Sequence, residues 1–187
     1  FTSDNGPWIS YGNHAGKTPY REAKGTAFDG GTRSSLIIKY PRKIKPNSIS
    51  DNTFCSIDLF PTILGLTGAE LPSSEIDGKN VWNLISGGPD EKNPHAYYAF
   101  TTGNKMESLI SGEGKWKLHL PHAYRTLSEA GKDGMAGKYV IEEIPLSLFD
   151  MENDPFEQKN VIEEHSEIAE QLLTMAEEHK NRFYSKK

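Results

Sequence analysis

Two short stretches near the amino terminus carry side chains suited to ion chemistry. "SDNGPW" puts a carboxylate and a carboxamide, Asp4 and Asn5, on adjacent residues of a Gly-Pro turn, and "REAKGTAFDGGTR" places Lys24 beside Gly25, twenty residues after Asp4. Asp4 and Asn5 offer hard oxygen donors, which suit calcium or magnesium rather than zinc. Two side chains fall short of the about six to eight oxygens calcium takes, and no EF-hand spacing occurs in the chain. The same residues also make an ordinary turn, since Asp, Asn, Gly and Pro dominate turns for conformational reasons. Lys24 is a point charge for a tetrahedral oxyanion, with Gly25 leaving the backbone open to a ligand; taken alone it also reads as a solvated surface lysine. The combination of both stretches on glycine-rich backbone is what points to a site.

The elements around them can be read in turn. Phe1 to Ser3 has the look of a strand end and Asp4 to Pro7 of the turn that closes it, which in an open α/β sheet is where ligands bind. From Tyr11 to Gly31 no apolar period is sustained and glycine recurs, so a long loop is expected, of the kind that is functional or disordered. "SSLIIKYP", Ser34 to Pro41, reads as a short buried strand. In "SIDLFPTILGLTG", Asp58 is placed to N-cap a helix, Pro61 falls in its first turn and Gly68 can close it. "EIDGKNVWNLISGG" supplies a turn at Asp77-Gly78 and a short helix through Leu84, and "GGPDEKNP", Gly87 to Pro94, is the candidate boundary.

Beyond it, "HAYYAFTT", "MESLISGEGKWKLHL" and "LSLFDM" read as short strands, with "GEGK" as a hairpin turn, and the polar, glycine-rich stretch between Pro121 and Pro145 reads as a loop. Asp154-Pro155-Phe156-Glu157 fits a helix start with its capping glutamate. Val161, His165, Ile168, Leu172, Met175, His179 and Phe183 then form one stripe at steps of three and four. Such a helix needs a surface to cover, so residues 95–187 are expected to form a small antiparallel sheet with a long carboxyl-terminal helix across one face.

Composition narrows the partners. The formal net charge of −5 over 187 residues and the scattered lysines provide no basic field for nucleic acid. No apolar run approaches the roughly 20 residues of a membrane-spanning helix. Cys55 is the sole cysteine, which rules out an internal disulfide and a cysteine-rich zinc site.

"SDNGPW", "REAKGTAFDGGTR", "SIDLFPTIL", "EIDGKNVWNLISG", "GKWKLHL" and "LFDMENDPFEQKN" follow one another in the order and at about the spacing of the carboxyl-terminal half of type I sulfatases. Over nearly its whole length the chain resembles these arylsulfatase A-like enzymes of the alkaline phosphatase superfamily. The resemblance implies an α/β fold: residues 1–94 would be the end of a mixed sulfatase-like sheet domain, and 95–187 a small α+β subdomain. It implies a calcium-dependent hydrolase of aryl or carbohydrate sulfate esters, secreted or periplasmic. Asp4 and Asn5 would be two ligands of the calcium, and Lys24 would contact the sulfate.

His14, in "YGNHAGK", stands where related enzymes often carry a substrate-reaching histidine; a solvent-facing loop histidine is the alternative. Arg33 follows the paired glycines as in the family, where a structural salt bridge suits it better than catalysis. "LPHAYRTL" resembles a segment of some bacterial members, which makes His122 and Arg125 candidates for substrate specificity.

The family's formylglycine nucleophile is made from Cys or Ser in a Cys/Ser-x-Pro/Ala-x-Arg motif, and no such motif occurs here. Cys55, followed by Ser-Ile-Asp-Leu, reads instead as a small buried hydrophobe. The nucleophile, two further metal carboxylates and other sulfate-binding groups are therefore expected in an upstream half, in keeping with a start at Phe1 inside a strand, and this chain by itself is expected to be inactive. Two other readings remain open: a phosphatase or phosphodiesterase of the same superfamily, which typically binds two zinc ions through several Asp and His ligands, and a non-catalytic module binding an anion or a protein.

Overall fold

The computed structural model describes residues 1–87 and 92–184. Part of the expected boundary, residues 88–91, lies outside the described residues. The helices are α1 (Asp29–Thr32), α2 (Leu59–Thr67), α3 (Trp82–Ser86) and α4 (Ser166–Tyr184). The strands are β1 (Tyr97–Thr102), β2 (Lys105–Ser111), β3 (Trp116–His119), β4 (His122–Glu129), β5 (Lys138–Ile144) and β6 (Ser147–Asp150).

β1, β2, β3 and β6 form an antiparallel sheet in that order. The "GEGK" turn joins β2 to β3, with Gly114 in the left-handed region at φ +83. Alternation then sorts the side chains. Leu109, Leu118 and Leu148 stand in register across three strands on one face, where they pack with Ala169, Leu172 and Ala176 of α4. The expected sheet under a long carboxyl-terminal helix is therefore the observed arrangement, and Leu172 is at its centre. On the other face Tyr98, Ile110, Lys117 and Phe149 are in register, and Phe28, Tyr124 and Ile144 cover the apolar members of that row.

Four local expectations are corrected. The stretch between Pro121 and Pro145 is a hairpin of β4 and β5, not a loop, and only its tip is glycine-rich turn. Charged residues, Arg125, Glu142 and Glu143, interrupt the apolar ones on both faces, so the clean alternation of a half-buried strand is missing. The α4 helix begins at Ser166 rather than at Asp154. Asp154 instead closes a turn, accepting from the Gln158 and Lys159 amides at 2.7 Å each, and Glu157 sits at φ +53 with its side chain turned inward.

"SSLIIKYP" contributes one antiparallel bridge, Thr2 to Leu36, and Ile37 is 64% exposed. Apolar composition alone cannot distinguish a covered strand from an uncovered one. Lastly, Asp58 makes no side-chain cap on α2. It is fully buried, taking hydrogen bonds from the Lys79 amide (2.9 Å) and the Tyr98 hydroxyl (2.8 Å), with His95 Nε2 at 2.7 Å. Burial first, and then the bond to Asp58, holds the Tyr98 phenol well above its ordinary pKa. α2 does end as expected, at Gly68 with φ +72, and Cys55 is half-buried against the second core cluster.

Candidate active site

The turn at Asp4 and the segment carrying Lys24 are one hydrogen-bonded unit. The Lys24 amide donates to the Pro7 carbonyl at 3.1 Å, and the Gly6 amide donates to the Gly31 carbonyl at 2.9 Å. A Cβ at Gly6 would run into the Gly30 carbonyl, so this approach requires glycine. The segment 21–33 is itself a tight knot: Gly30 donates back to the Arg21 carbonyl at 2.9 Å, Gly31 to that of Phe28 at 2.8 Å, and Arg33 to that of Asp29 at 2.8 Å. The Lys24 ammonium stands 5.6 Å above the Trp8 ring, with no carboxylate within ion-pair distance among the described residues. Such a cation is available to an external anion.

Arg125 approaches the same place from β4. A Cβ added at Gly25, which has φ +91, would lie 3.2 Å from Arg125 Nη2, and the guanidinium rests on the Tyr139 ring at 4.8 Å. His122 is elsewhere. It lies in the interior, stacked on His119 with ring centroids 5.6 Å apart. Its Nδ1 donates to the Leu120 carbonyl at 2.7 Å, and its Nε2 is 3.9 Å from a Glu107 oxygen. His14 is exposed on a turn of 3₁₀ helix, Gly12–His14. Beside this turn Asn13 and Asp133 exchange hydrogen bonds of 3.2 and 3.0 Å, tying the loop to the β4–β5 tip. A groove of about 540 Å³ runs between this loop and β4, with Tyr20, Glu22 and Thr126 among its walls.

Asp4 is exposed, and its carboxylate takes one long bond of 3.4 Å from the Ser3 hydroxyl. Hard oxygen donors in that state fit a hard cation in kind. Among the described residues no cluster of three His, Cys, Asp or Glu side chains could hold a metal, so Asp4 and Asn5 would supply only part of a calcium site.

What holds the unit in place is built from residues of three of the quoted motifs, none of them a candidate site residue in the sequence. Behind it lies a buried ionic cluster built on Glu157 and Lys117, both fully buried. Lys117 Nζ reaches Asp29 Oδ1 at 2.8 Å and Glu157 Oε1 at 3.0 Å, and His119 Nε2 meets the same Glu157 oxygen at 2.8 Å. The other oxygen, Oε2, accepts the Asp29 amide at 2.7 Å, and the Glu157 carbonyl accepts Arg21 Nη1, also at 2.7 Å. Burial works to raise the Glu157 carboxyl, and Lys117, His119 and the Asp29 amide outweigh it, leaving its pKa lowered. Burial also lowers His119, to about 4, so this imidazole is neutral. In "GKWKLHL" the alternate polar residues mark a second face, which is covered rather than wet.

The family description "N-sulphoglucosamine sulphohydrolase, C-terminal" matches residues 23–114, a span that holds Lys24, α2 and β1 to β2. The arylsulfatase A of Bos taurus is 30% identical over 177 residues, covering 92% of this chain and 35% of that protein. The chain resembles sulfatases over nearly its whole length. An N-acetylgalactosamine-6-O-sulfatase of Bacteroides thetaiotaomicron is 31% identical, over 97% of this chain and 36% of its own length. The chain thus spans about a third of these curated relatives. Among solved structures, the PsFucS1 sulfatase of Pseudoalteromonas sp. shares the fold with a TM-score of 0.79 at 21% identity, covering 98% of this chain and 37% of that one. A Bacteroides thetaiotaomicron protein described with the metabolism of multiple glycosaminoglycans superposes with a TM-score of 0.71 at 27% identity, covering 97% of this chain and 38% of that one.

Proposed function

We propose that the full-length protein is a calcium-dependent sulfatase that hydrolyses sulfate esters of aryl alcohols or carbohydrates, and that residues 1–187 contribute one side of its active site. The observation that carries this reading is the backbone union of the Lys24 segment with the Asp4 turn, through the Lys24 amide and the Pro7 carbonyl. It brings two hard oxygen donors and a cation with no acidic partner among the described residues into one hydrogen-bonded piece. In this role Asp4 and Asn5 hold calcium, which when bound would neutralise sulfate oxygens as a Lewis acid.

Lys24 binds the sulfate and offsets the charge that grows on it as the S–O bond breaks. Arg125, next to Gly25, contacts the part of the substrate beyond the sulfate, and His14 and His122 take lesser parts, at the groove and in the support behind it. The nucleophile is a formylglycine outside residues 1–187, so this chain alone is inactive. The names of the relatives, an arylsulfatase and an N-acetylgalactosamine sulfatase, support an aryl or sugar sulfate as substrate, and a secreted or periplasmic enzyme would meet such esters.

The test is kinetic. Lys24→Ala in the full-length protein is expected to lower kcat/KM on a chromogenic aryl sulfate by about 10²-fold or more, the usual cost of removing one preorganised charge contact, with the folded circular dichroism spectrum intact. Wild-type rates in that variant, or a full-length protein that prefers the matching phosphate ester, would sink the reading.

A further inference from the structure

We propose that Glu157 is a positioning residue for Lys24, acting through the buried cluster behind the 21–33 knot; the inference rests on the sulfate-binding role given to Lys24 above. Glu157 is fully buried. It grips the knot at two separate points: its carboxylate takes the Asp29 amide at 2.7 Å, and its carbonyl takes Arg21 Nη1 at 2.7 Å. Lys117 bridges from the sheet, 2.8 Å from Asp29 and 3.0 Å from Glu157, and Phe28 between the two grip points is fully buried, stacked on His119 with centroids 4.6 Å apart.

The knot has no slack of its own. Side chains at Gly30 and Gly31 would run into the carbonyls of Arg21, Glu22, Ala23 and Thr26, so a displacement at Asp29 is carried to Lys24 rather than absorbed. Glu157 itself is held in a left-handed backbone conformation at φ 53, which costs free energy in a non-glycine residue. A buried ion pair is also a poor source of net stability, since desolvation consumes most of its attraction. A strained residue bearing a buried charge is better explained by a demand for fixed geometry than by a demand for stability.

Inorganic sulfate is the probe, because its inhibition constant reports the Lys24 subsite in folded molecules only. In the full-length enzyme Glu157→Gln keeps the side-chain size and removes the charge facing Lys117. It is expected to weaken inhibition by sulfate about tenfold, in line with the cost of sub-ångström misplacement, and to raise KM for aryl sulfate in parallel. Simple loss of folded molecules would lower Vmax and leave the inhibition constant unchanged, which would overturn the proposal.

On the Lys24→Ala background the same substitution should add less than about twofold, since two residues acting through one contact are not additive; full additivity there would also overturn it. Should Glu157→Gln not fold, Arg21→Ala, at the half-buried end of the clamp, is expected to shift the sulfate constant about threefold, and no shift overturns the proposal. A wild-type enzyme that hydrolyses no sulfate ester defeats the functional reading and this one together. Inhibition that depends on Lys24 but on neither clamp residue defeats this one alone.

Discussion

At the scale of single residues, the side chains that look most chemical in the sequence are at the surface, and those that look ordinary are the buried ones. Asp4, Lys24 and Arg125 are exposed or half-exposed, whereas Lys117, His119, Glu157 and Asp58 are buried in full. Sequence cannot tell these apart: an alternating W-K-L-H strand gives the face of each side chain and says nothing of what covers it. His119 makes the distinction measurable. Folding holds it neutral, with its pKa lowered by burial from 6.5 to about 4. The unfolded chain therefore takes up a proton that the folded protein refuses. The stability this contributes is full above the unfolded value and is lost as pH falls toward the folded one, by roughly 2 kcal/mol near pH 5. His119→Gln keeps a donor for Glu157 and cannot titrate. Urea midpoints measured between about pH 7 and 5 should fall for the wild type and stay nearly level for the variant; parallel slopes would show that another group controls this window.

At the scale of elements, periodicity was informative wherever one face is covered by an apolar partner. The stripe on α4 is one such case, and β1, β2, β3 and β6 are others. Register then follows, since a one-residue slip would turn Leu109, Leu118 and Leu148 to the wrong face. It failed for β4 and β5, where Arg125, Glu142 and Glu143 leave no apolar alternation to read, although Tyr139, Val140 and Ile141 were a strand signal by composition. It failed again at Glu157, because Asp-Pro-x-Glu is the same string whether it opens a helix or closes a turn over a buried lysine. The α4 stripe gives the test at this scale. Leu172 is 4% exposed between Ala169 and Ala176, so Leu172→Asp buries a carboxylate with no partner and is expected to cost about 3 kcal/mol or more. Phe183→Asp, at a residue 43% exposed on the same helix, should change the melting temperature little. Equal losses from both would mean that the helix is held by something other than its apolar stripe.

At the scale of the whole molecule, the fold class and the resemblance to sulfatases were legible because six motifs stand in order, and each now has a structural reason: the Asp4 turn and the 21–33 knot bind each other, α2 and the Asp77 turn meet at Asp58, and "GKWKLHL" joins "LFDMENDPFEQKN" through Lys117 and Glu157. The calcium site proposed for Asp4 and Asn5 is the part that these residues could not make legible, since two side chains fall short of its oxygen count. Among the described residues no three His, Cys, Asp or Glu side chains cluster to hold a metal, whereas calcium takes about six to eight oxygens, usually with several carboxylates. Residues 1–187 alone are therefore expected to bind calcium weakly, if at all, and the full-length protein at least about tenfold more tightly, since affinity follows the number of charged ligands. Asp4→Ala in the full-length protein removes one carboxylate ligand and should weaken calcium binding and turnover together. Titration calorimetry on the three proteins reads the binding independently of activity. Micromolar calcium binding by residues 1–187 alone would place a complete site within this chain, and the division of ligands proposed for Asp4 and Asn5 would fail.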